Sequence, residues 1–315
     1  MILVTGASGF VGSALVARLA LDGIETRACF RRDDACVPDG VHALQVGDLT
    51  VDNDWGQALR GIVTVVHAAA RVHVMDDTAT DCLAEFRRIN VQGTLNLARQ
   101  AAAAGVQRFV FLSSIKVNGE VTKLGMPFSA DDTPSPRDPY GVSKMEAEQG
   151  LREIATLTGM EVVIIRPPLV YGPGVKANFS ALMRTVTRGW PMPLGAIRNQ
   201  RSLVALDNLV DLILTCVSHS GAANQTFLVS DGRDLSTKDL LCGLAHAADV
   251  RLLLIPVPVW VIWAGATVLG VRGTASRLCN SLQVDISKTR NLLGWTPPVS
   301  VDEGLRRAVA GMKKR

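Results

Sequence analysis

Two residues of the stretch "YGVSK", Tyr140 and Lys144, have the types and the spacing needed for acid–base chemistry. Residues four apart lie on one face of a helix, so the lysine ammonium can lie beside the phenol. A tyrosine has an ordinary pKa of about 10, and a neighbouring positive charge favours its phenolate. The pair predicts a proton donor for carbonyl chemistry, but the same spacing also occurs on many surface helices.

A second polar stretch, "LSSIKVNGE" at residues 112–120, follows the apolar run "RFVFL". Its first polar residues, Ser113 and Ser114, stand where a predicted strand ends. Ligands of open α/β sheets bind at the carboxyl ends of the strands. The stretch is therefore either an ordinary polar loop or part of a reactive site, and these residues by themselves leave both possibilities open.

The sequence "GASGFVG" places three glycines between a predicted strand and a predicted helix. Glycines at this spacing permit a tight turn and close approach of the backbone to a pyrophosphate, while the helix N-terminus offers free N–H groups to the phosphates. We therefore predict a dinucleotide site. Its predicted contacts in this turn are Gly6, Ser8, Gly9, Phe10, Val11 and Gly12.

The end of the second predicted strand, "ACFRRDD", bears on the choice of cofactor. An acidic side chain at this place binds the adenosine ribose hydroxyls of NAD, whereas arginine pairs with the 2′-phosphate of NADP. Phe30 occupies the position of the acid and is followed by Arg31 and Arg32. The sequence favours NADP(H) over NAD(H), and NAD(H) stays open because Asp33 is close by.

Two further strand ends supply candidate cofactor contacts. In "GDL", Asp48 can accept a hydrogen bond from the adenine amino group and Leu49 can cover the ring. In "HAAA", small side chains would let the cofactor lie against the backbone, and these are Ala68, Ala69 and Ala70. His67 is interpreted as a core histidine and not as a catalytic residue.

Apolar, β-rich runs alternate with helical patterns through the first half of the chain. Strands that are apolar on both faces are typical of a parallel sheet covered by helices on both sides. We predict an α/β fold with a doubly wound parallel (Rossmann) sheet over residues 1–166 and a strand that returns near 225–230. Residues 167–200 and 232–315 are predicted to form a smaller, mostly helical substrate-binding region.

The composition excludes several classes of protein. The chain has 20% charged and 48% hydrophobic residues and a net charge of +4 without a basic patch, so it is globular and no nucleic-acid partner is predicted. The six cysteines show no CxxC pair and no spacing shared with histidines, so no metal site is predicted. No signal peptide is recognised before "ILVTG", which predicts a cytoplasmic protein.

The segment "IPVPVWVIWAGATVLGV", residues 255–271, is apolar enough to suggest contact with a membrane. Its two early prolines leave about 13 residues of helix, short of the roughly 20 that span a bilayer. We therefore expect no integral membrane segment. A buried or lid helix is preferred, and a peripheral helix at the membrane surface is the alternative.

Together, the glycine turn, the serine pair and the YxxxK pattern resemble the extended short-chain dehydrogenase/reductase family, of the NAD-dependent epimerase/dehydratase type. The resemblance continues through "NVQGTLNL", "RPPLVYGPG" and "DISKTRNLLGWTP" and covers essentially the whole chain. It implies that Ser114 binds the substrate oxygen, that Tyr140 is the acid/base, and that Lys144 lowers the tyrosine pKa and holds the nicotinamide ribose. It also implies that Asn90 and Pro167 lie beside the cofactor.

The resemblance further implies a UDP-sugar as the partner of the site. Asn178 and Arg201 match residues that contact the substrate diphosphate, and Arg277 stands roughly where a second arginine reaches the nucleotide. Arg272 and ordinary surface arginines remain alternatives to Arg277. The helices of Asn90 and Tyr140 commonly pair across a two-fold axis in this family, which implies a homodimer.

Departures from the family pattern bear on the reaction. Sugar 4,6-dehydratases carry an Asp-Glu pair where this chain has Ile115 and Lys116, and many 4-epimerases carry a tyrosine at the position of Asn118. The stretch "LSSIKVNGE" looks most like bacterial UDP-N-acetylquinovosamine dehydrogenases, also named 4-ketoreductases, of polysaccharide and O-antigen (lipopolysaccharide) synthesis. We therefore predict reduction of the 4-keto group of a UDP-linked 6-deoxy-N-acetylhexosamine.

Other functions stay open. A UDP-hexose 4-epimerase with tightly bound NAD would use the same Ser114, Tyr140 and Lys144. A steroid or flavonoid reductase is disfavoured by Arg201 and Asn178, and a noncatalytic sensor of dinucleotide redox state by the presence of all three reactive residues.

Overall fold

The computed structural model describes residues 1–31, 37–72, 81–270 and 272–313. Its strands are β1 Ile2–Thr5, β2 Thr26–Phe30, β3 Val41–Gln45, β4 Thr64–His67, β5 Arg108–Leu112, β6 Glu161–Arg166, β7 Leu169–Tyr171, β8 Leu203–Ala205 and β9 Thr226–Leu228. Its α-helices are α1 Phe10–Leu21, α2 Gly56–Leu59, α3 Cys82–Phe86, α4 Thr94–Ala103, α5 Pro139–Thr158, α6 Ala177–Thr187, α7 Leu206–Ser218, α8 Thr237–Ala248, α9 Val259–Val268, α10 Arg272–Cys279, α11 Ser287–Leu293 and α12 Val301–Lys313. A π-helix covers Arg87–Gly93, and short 3₁₀ helices cover Ile115–Val117 and Ser220–Ala222.

A seven-stranded sheet in the order β3-β2-β1-β4-β5-β6-β9 forms the centre of the molecule, and every pair of neighbours in it is parallel. The strand order reverses between β1 and β4, which is the place where doubly wound sheets open a crevice for a ligand. The predicted doubly wound parallel sheet is confirmed. Its last strand, β9, lies within the range 225–230 given by the sequence.

Successive residues of each central strand point to opposite faces of the sheet and enter different cores. On β1 and β4, Leu3 and Val65 join a core that includes Leu97 and Leu151 of α4 and α5. Their neighbours Val4 and Val66 join the core of the opposite face, which is covered by α1, α7 and α11. Burial on both faces explains why these strands are apolar throughout.

A smaller and mostly helical region follows β6, as the sequence predicts. The short parallel pair β7–β8 packs with α6, α8 and α12 around a separate core that contains Tyr171, Phe179, Leu241 and Leu305. Tyr171 donates a hydrogen bond of 2.7 Å to Asp231, whose carboxylate also accepts from Asn208 at 2.7 Å. This buried network joins the helical region to the end of the main sheet.

The apolar segment 255–271 forms α9, and the preference for a buried helix is wrong. Of the residues of α9, only Ala266 is buried, whereas Trp260 is 73% and Val268 85% exposed. No helix within the described ranges combines the length and the apolar character that crossing a bilayer requires.

Candidate functional site

The glycine turn after β1 is too tight for any other residue at two of its positions. Gly6 has φ +68°, and a Cβ atom added to it would lie 2.7 Å from the backbone N of Ala69. A Cβ atom on Gly12 would lie 2.1 Å from the carbonyl oxygen of Gly6. The helix α1 starts after Gly9 without a side-chain cap, so its first N–H groups fit a phosphate ligand. The geometry suits a dinucleotide, as predicted.

The loop after β4 forms the other wall of this crevice. Residues 68–70 are partly exposed there, and the next backbone group, the N–H of Arg71, donates to Asn90 Oδ1 at 2.8 Å. Asn90 Nδ2 donates in turn to the carbonyl oxygen of Arg71 at 3.0 Å and to Ser143 Oγ at 3.1 Å. Asn90 is 1% exposed and therefore holds the loop against α5. It lies in a π-helix, a distortion often found at functional sites.

The start of α5 places Tyr140 and Lys144 in the first turns of that helix. Asp138 caps it by accepting from the backbone N of Gly141 at 2.7 Å, and Pro139 occupies the first helical position. Lys116 forms an ion pair with the second oxygen of Asp138. The sequence "RDPYG" carries this start signal, so Asp138 was within reach of sequence reasoning, which overlooked it.

Lys144 is 2% exposed and lies behind the end of β5. Its ammonium donates to the carbonyl oxygen of Leu112 at 2.9 Å and lies 4.4 Å from the centroid of the Phe111 ring. The centroid of the Tyr140 ring is 6.0 Å away. Burial lowers the pKa of Lys144 to about 7, although the charge of Glu148 acts in the opposite direction.

Tyr140 behaves differently from the expectation that Lys144 lowers its pKa. The pKa of the Tyr140 phenol is raised, first because burial disfavours the phenolate and second because of the negative charge of Asp138. The ring packs edge-on against Phe86, with centroids 6.0 Å apart. In the protein alone Tyr140 is thus a phenol that keeps its proton, so it is suited to donate that proton to a substrate oxygen.

The two serines after β5 have separate environments. Ser113 is buried and donates to Glu148 Oε1 at 2.6 Å. Ser114 is partly exposed at the start of the short helix Ile115–Val117, where its oxygen accepts from the backbone N of Lys116 at 3.3 Å. The Ser114 hydroxyl proton remains available for a substrate, because that contact uses only its acceptor capacity.

Asn118 belongs to a buried network and not to the sugar site. Its Oδ1 accepts from Arg166 at 2.9 Å, and its Nδ2 donates to the carbonyl oxygen of Ser129 at 2.8 Å. Arg166 also pairs with Glu148 through two hydrogen bonds of 2.6 and 2.9 Å. Asn118 is 2% exposed, so its identity gives no evidence on the reaction, contrary to the sequence-based interpretation.

His67 at the end of β4 is a core residue, as interpreted. Nδ1 lies 2.7 Å from Thr5 Oγ1 and Nε2 lies 3.0 Å from Thr94 Oγ1, so both ring nitrogens have partners. Burial and then the charge of Lys144 lower the pKa of His67 to about 3. A neutral ring stacked on Phe111 leaves His67 without a part in proton transfer.

Pro167 extends the crevice wall beyond β6. Its carbonyl oxygen accepts from the backbone N of Ile115 at 3.0 Å, which fixes the chain after β6 against the short helix behind Ser114. Pro167 is itself buried. Its position at a strand end agrees with a place beside the cofactor, which stays a prediction.

At the end of β2, Phe30 is buried and Arg31 is exposed. Arg31 Nη1 lies 3.7 Å from Asp48 Oδ1, in an ion pair of two exposed side chains. The predicted adenine-side contacts Arg31 and Asp48 are thus neighbours, and Leu49 packs against Gly93. Arg32 lies outside the described residues.

The predicted diphosphate contacts Arg201 and Arg277 come from separate segments. Arg201 forms backbone hydrogen bonds with Leu235, and its guanidinium donates to the carbonyl oxygen of Asn280 at 3.0 Å. Burial and then the positive charge of Arg277 lower the pKa of Arg201. In the described part of the chain neither arginine has a carboxylate within ion-pair distance, so the two form a cationic site that fits an anion. Asn178 lies in α6, and its side chain is outside the described part.

A short connection joins this cationic site to the loop behind Ser114. Ser202 N donates to the carbonyl oxygen of Leu282 at 2.8 Å, and Thr122 N donates to that of Ser281 at 2.9 Å. Phe128 N donates to the carbonyl oxygen of Gln283 at 2.8 Å. The segment 281–283 thus lies between the strand of Arg201 and the loop that follows Ser114.

A Rossmann sheet with a glycine turn, a buried Tyr–Lys pair and a strand-end serine defines the class of short-chain dehydrogenases and reductases. Residues 2–230 match the NAD dependent epimerase/dehydratase family, which covers most of the chain. The chain belongs to this family.

Relatives within the family differ in the reaction that their names describe. A protein of Vibrio cholerae named UDP-glucose 4-epimerase is 48% identical over 97% of this chain and 93% of its own length. The solved structure of MoeE5 in complex with UDP-glucose and NAD matches with 27% identity and a TM-score of 0.78, over 99% of this chain and 98% of that one. RMD from Pseudomonas aeruginosa, complexed with NADPH, matches with 26% identity and a TM-score of 0.75, over 100% and 99%.

Proposed function

We propose that the chain reduces the 4-keto group of a UDP-linked 6-deoxy-N-acetylhexosamine to a hydroxyl group, with NADPH or NADH as the reductant. An epimerase- or reductase-type activity on a nucleotide sugar is supported by the names and bound ligands of the relatives. The observation that carries the proposal is the raised pKa of Tyr140, whose phenol keeps its proton at the open end of the crevice.

The residues of the chain divide the work as follows. The nicotinamide, when bound, supplies the hydride to C4 of the sugar. Ser114 donates a hydrogen bond to the ketone oxygen, and Tyr140 transfers its proton to that oxygen as negative charge develops there. The buried ammonium of Lys144 stabilises the phenolate that remains after the transfer.

The cationic site of Arg201 and Arg277 supports a diphosphate as the anchor of the substrate. Two guanidinium groups without a carboxylate partner in the described residues lower the free energy of a bound diphosphate through charge-assisted hydrogen bonds. The connection through residues 281–283 supports a common cleft for the diphosphate and the sugar.

The end of β2 favours reduction by an exchanging cofactor over retention of NAD. The side chain at the position of the ribose-binding acid is Phe30, and the exposed Arg31 follows it. A 2′-phosphate would find a cationic partner in Arg31, and an enzyme that consumes NADPH must release the oxidised form after each turnover.

The second candidate is a UDP-hexose 4-epimerase with tightly bound NAD. The 48% identity to the Vibrio cholerae protein favours it. It also gains from the burial of Asn118, because the residue that distinguished this chain from 4-epimerases does not face the sugar. Ser114, Tyr140 and Lys144 would act in the same way, and hydride would return to the opposite face of C4.

Purified full-length protein incubated with UDP-sugars and their 4-keto forms tests the proposal. We expect steady oxidation of NADPH with a UDP-4-keto-6-deoxy-N-acetylhexosamine and formation of one 4-hydroxy product. Interconversion of UDP-hexoses without net oxidation of NAD(P)H, by protein that retains its dinucleotide through purification, would replace the reductase by the epimerase. A homodimer through the helices of Asn90 and Tyr140 is also proposed, and sedimentation at micromolar concentration tests it.

A further inference from the structure

An exposed apolar surface surrounds α9, well outside the reactive crevice. Its residues are called here the apolar ridge: Trp190, Leu253, Ile255, Val259, Trp260, Val261, Val268 and Leu269. Among them Trp190 is 58%, Trp260 73% and Leu269 75% exposed. Large apolar side chains that cluster on the surface mark a site of interaction with another apolar phase.

Hydrogen bonds hold the parts of the ridge together. Met192 N donates to the carbonyl oxygen of Leu253 at 3.0 Å, and Ile255 N donates to that of Met192 at 2.9 Å. Trp190 and Ile255 therefore belong to two neighbouring segments that lead into α9. Inside the ridge, Ile262 packs against the core of the helical region, which fixes the helix to the protein.

The charge around the ridge is uniformly positive. The segments 162–206 and 250–284, which include the ridge, contain nine of the 33 basic residues of the chain and none of its 29 acidic residues. Exposed arginines border the ridge: the Arg188 guanidinium lies 5.4 Å from the centroid of the Trp190 ring, and Arg272 Nε donates to Thr267 Oγ1 at 3.0 Å. Arg251 is a further exposed basic neighbour.

We propose that the apolar ridge docks on the surface of an anionic lipid bilayer. Tryptophan and arginine are suited to the boundary between headgroups and acyl chains, because each combines an apolar body with a polar end. Each basic residue near an anionic surface contributes about 1 kcal/mol, and the absence of acid removes the opposing repulsion. A helix of ten residues lies on such a surface and does not cross it.

A second copy of the chain is a poorer occupant of the ridge. A two-fold contact presents the same patch from both subunits, so it would bring two basic borders together. That repulsion has no acidic residue of either segment to offset it. An anionic lipid surface complements both properties of the ridge, the apolar centre and the positive border.

Docking in this orientation would bring the cationic site of the substrate to the same side as the bilayer. Arg277 belongs to α10, the helix that follows α9, and the end of α10 is held by Asn199, which donates to the carbonyl oxygens of Leu278 and Asn280 at 3.1 and 3.0 Å. The inference stands on the ridge alone and does not depend on the reaction proposed above.

Co-sedimentation of the full chain with lipid vesicles tests the inference. We expect binding to vesicles of phosphatidylglycerol and phosphatidylethanolamine, weaker binding to phosphatidylcholine, and a loss of about tenfold or more in the double variant Trp260→Asp, Leu269→Asp. The triple variant Arg188→Gln, Arg251→Gln, Arg272→Gln should lose the preference for anionic vesicles. Leu21→Asp, a change at a residue 84% exposed on α1, is the matched control and should bind normally.

Two further outcomes would overturn the inference. The first is failure of the unchanged protein to bind either kind of vesicle, or binding that survives the double variant. The second is a change from dimer to monomer in the double variant without vesicles, which would assign the ridge to contact between copies. NAD(P)H binding and the far-ultraviolet circular dichroism of each variant check that it is folded.

Discussion

The ammonium group of Lys144 lies 4.4 Å from the centroid of the Phe111 ring and donates to the carbonyl oxygen of Leu112 at 2.9 Å. Both partners are neutral, and the nearest carboxylate to influence it is Glu148, which is already paired with Arg166. A lysine in this setting destabilises the protein without cofactor. Active sites commonly carry such a cost, because the buried charge is useful once substrate and cofactor are bound.

Replacing Lys144 by Met should therefore stabilise the cofactor-free protein at neutral pH. The usual pKa of lysine is 10.5 and that of Lys144 is lowered to about 7, so between these values the unfolded chain binds more protons at this position. The stability contributed by this group rises from pH 7 to 10.5, by on the order of 5 kcal/mol. Lys144→Met should flatten that rise in thermal unfolding curves.

Lys238→Met on the exposed face of α8 is the control for this measurement. It should leave the pH dependence of unfolding as it is in the unchanged protein. An equal pH dependence in the Lys144 variant would show that the ammonium is solvated and would remove this account of its pKa.

Replacing Tyr140 by Phe should abolish turnover and spare cofactor binding. The phenol supplies the proton in the proposed reduction, so its loss should lower kcat by about 10³-fold. The ring would keep its packing against Phe86. Titration of NADPH fluorescence and initial rates with the same sugar separate the two effects.

The chain offers a matched control in its other tyrosine, because it contains only two. Tyr171→Phe removes the hydrogen bond of 2.7 Å to the buried Asp231. It should lower the free energy of unfolding by about 1–3 kcal/mol and leave the rate of the folded enzyme unchanged. Equal losses of rate in both variants would contradict the role given to Tyr140.

Replacing Arg31 by Ala should weaken NADPH and leave NADH nearly unaffected. Arg31 is exposed at the end of β2 and has only the loose contact of 3.7 Å with Asp48, so it is free to turn to a 2′-phosphate. We expect KM for NADPH to rise by about three- to tenfold. Arg60→Ala, also at an exposed arginine, is the control, and equal effects on both cofactors would argue against a 2′-phosphate contact.

Replacing Arg201 by Gln should act on substrate binding. Loss of one charge-assisted contact with the diphosphate should raise KM for the UDP-sugar by about tenfold or more, with a smaller change in kcat. Arg198→Gln is the control, because Arg198 is exposed and lies in the same acid-free segment. A loss confined to kcat would move Arg201 away from the diphosphate.

The sequence predicts those features that depend on neighbouring residues. The glycine turn, the alternation that builds the sheet and the Tyr140–Lys144 spacing are local patterns with a local physical cause. Contacts between distant segments are not visible in this way. Asn118 meets Arg166 across 48 positions, and its burial shows only in the folded chain.

The exposure of α9 illustrates a second limit. Apolar residues all round a helix are equally typical of a buried helix and of one that faces an apolar phase outside the protein. Composition therefore could not decide between the two possibilities, and the preference for burial failed. What decides is the packing of the remaining chain, which encloses only Ala266 of that helix.

Replacing Asn118 by Ala separates stability from specificity. The change removes the acceptor of Arg166 Nη1 and the donor to the carbonyl oxygen of Ser129, both in a buried position. The free energy of unfolding should fall by about 1–3 kcal/mol, because buried polar groups lose their partners. Since Asn118 does not face the sugar, kcat and KM of the remaining folded protein should be unchanged.

The variant Asn118→Tyr extends this test to the residue that many 4-epimerases carry. A phenol ring has no space beside Arg166 in a position that is 2% exposed, so we expect a larger loss of stability than for Ala. Denaturant unfolding measures the stability of both variants, and product analysis with UDP-sugars measures their specificity. A variant that folds well and gains 4-epimerase activity would show that position 118 does reach the sugar, against the contacts described here.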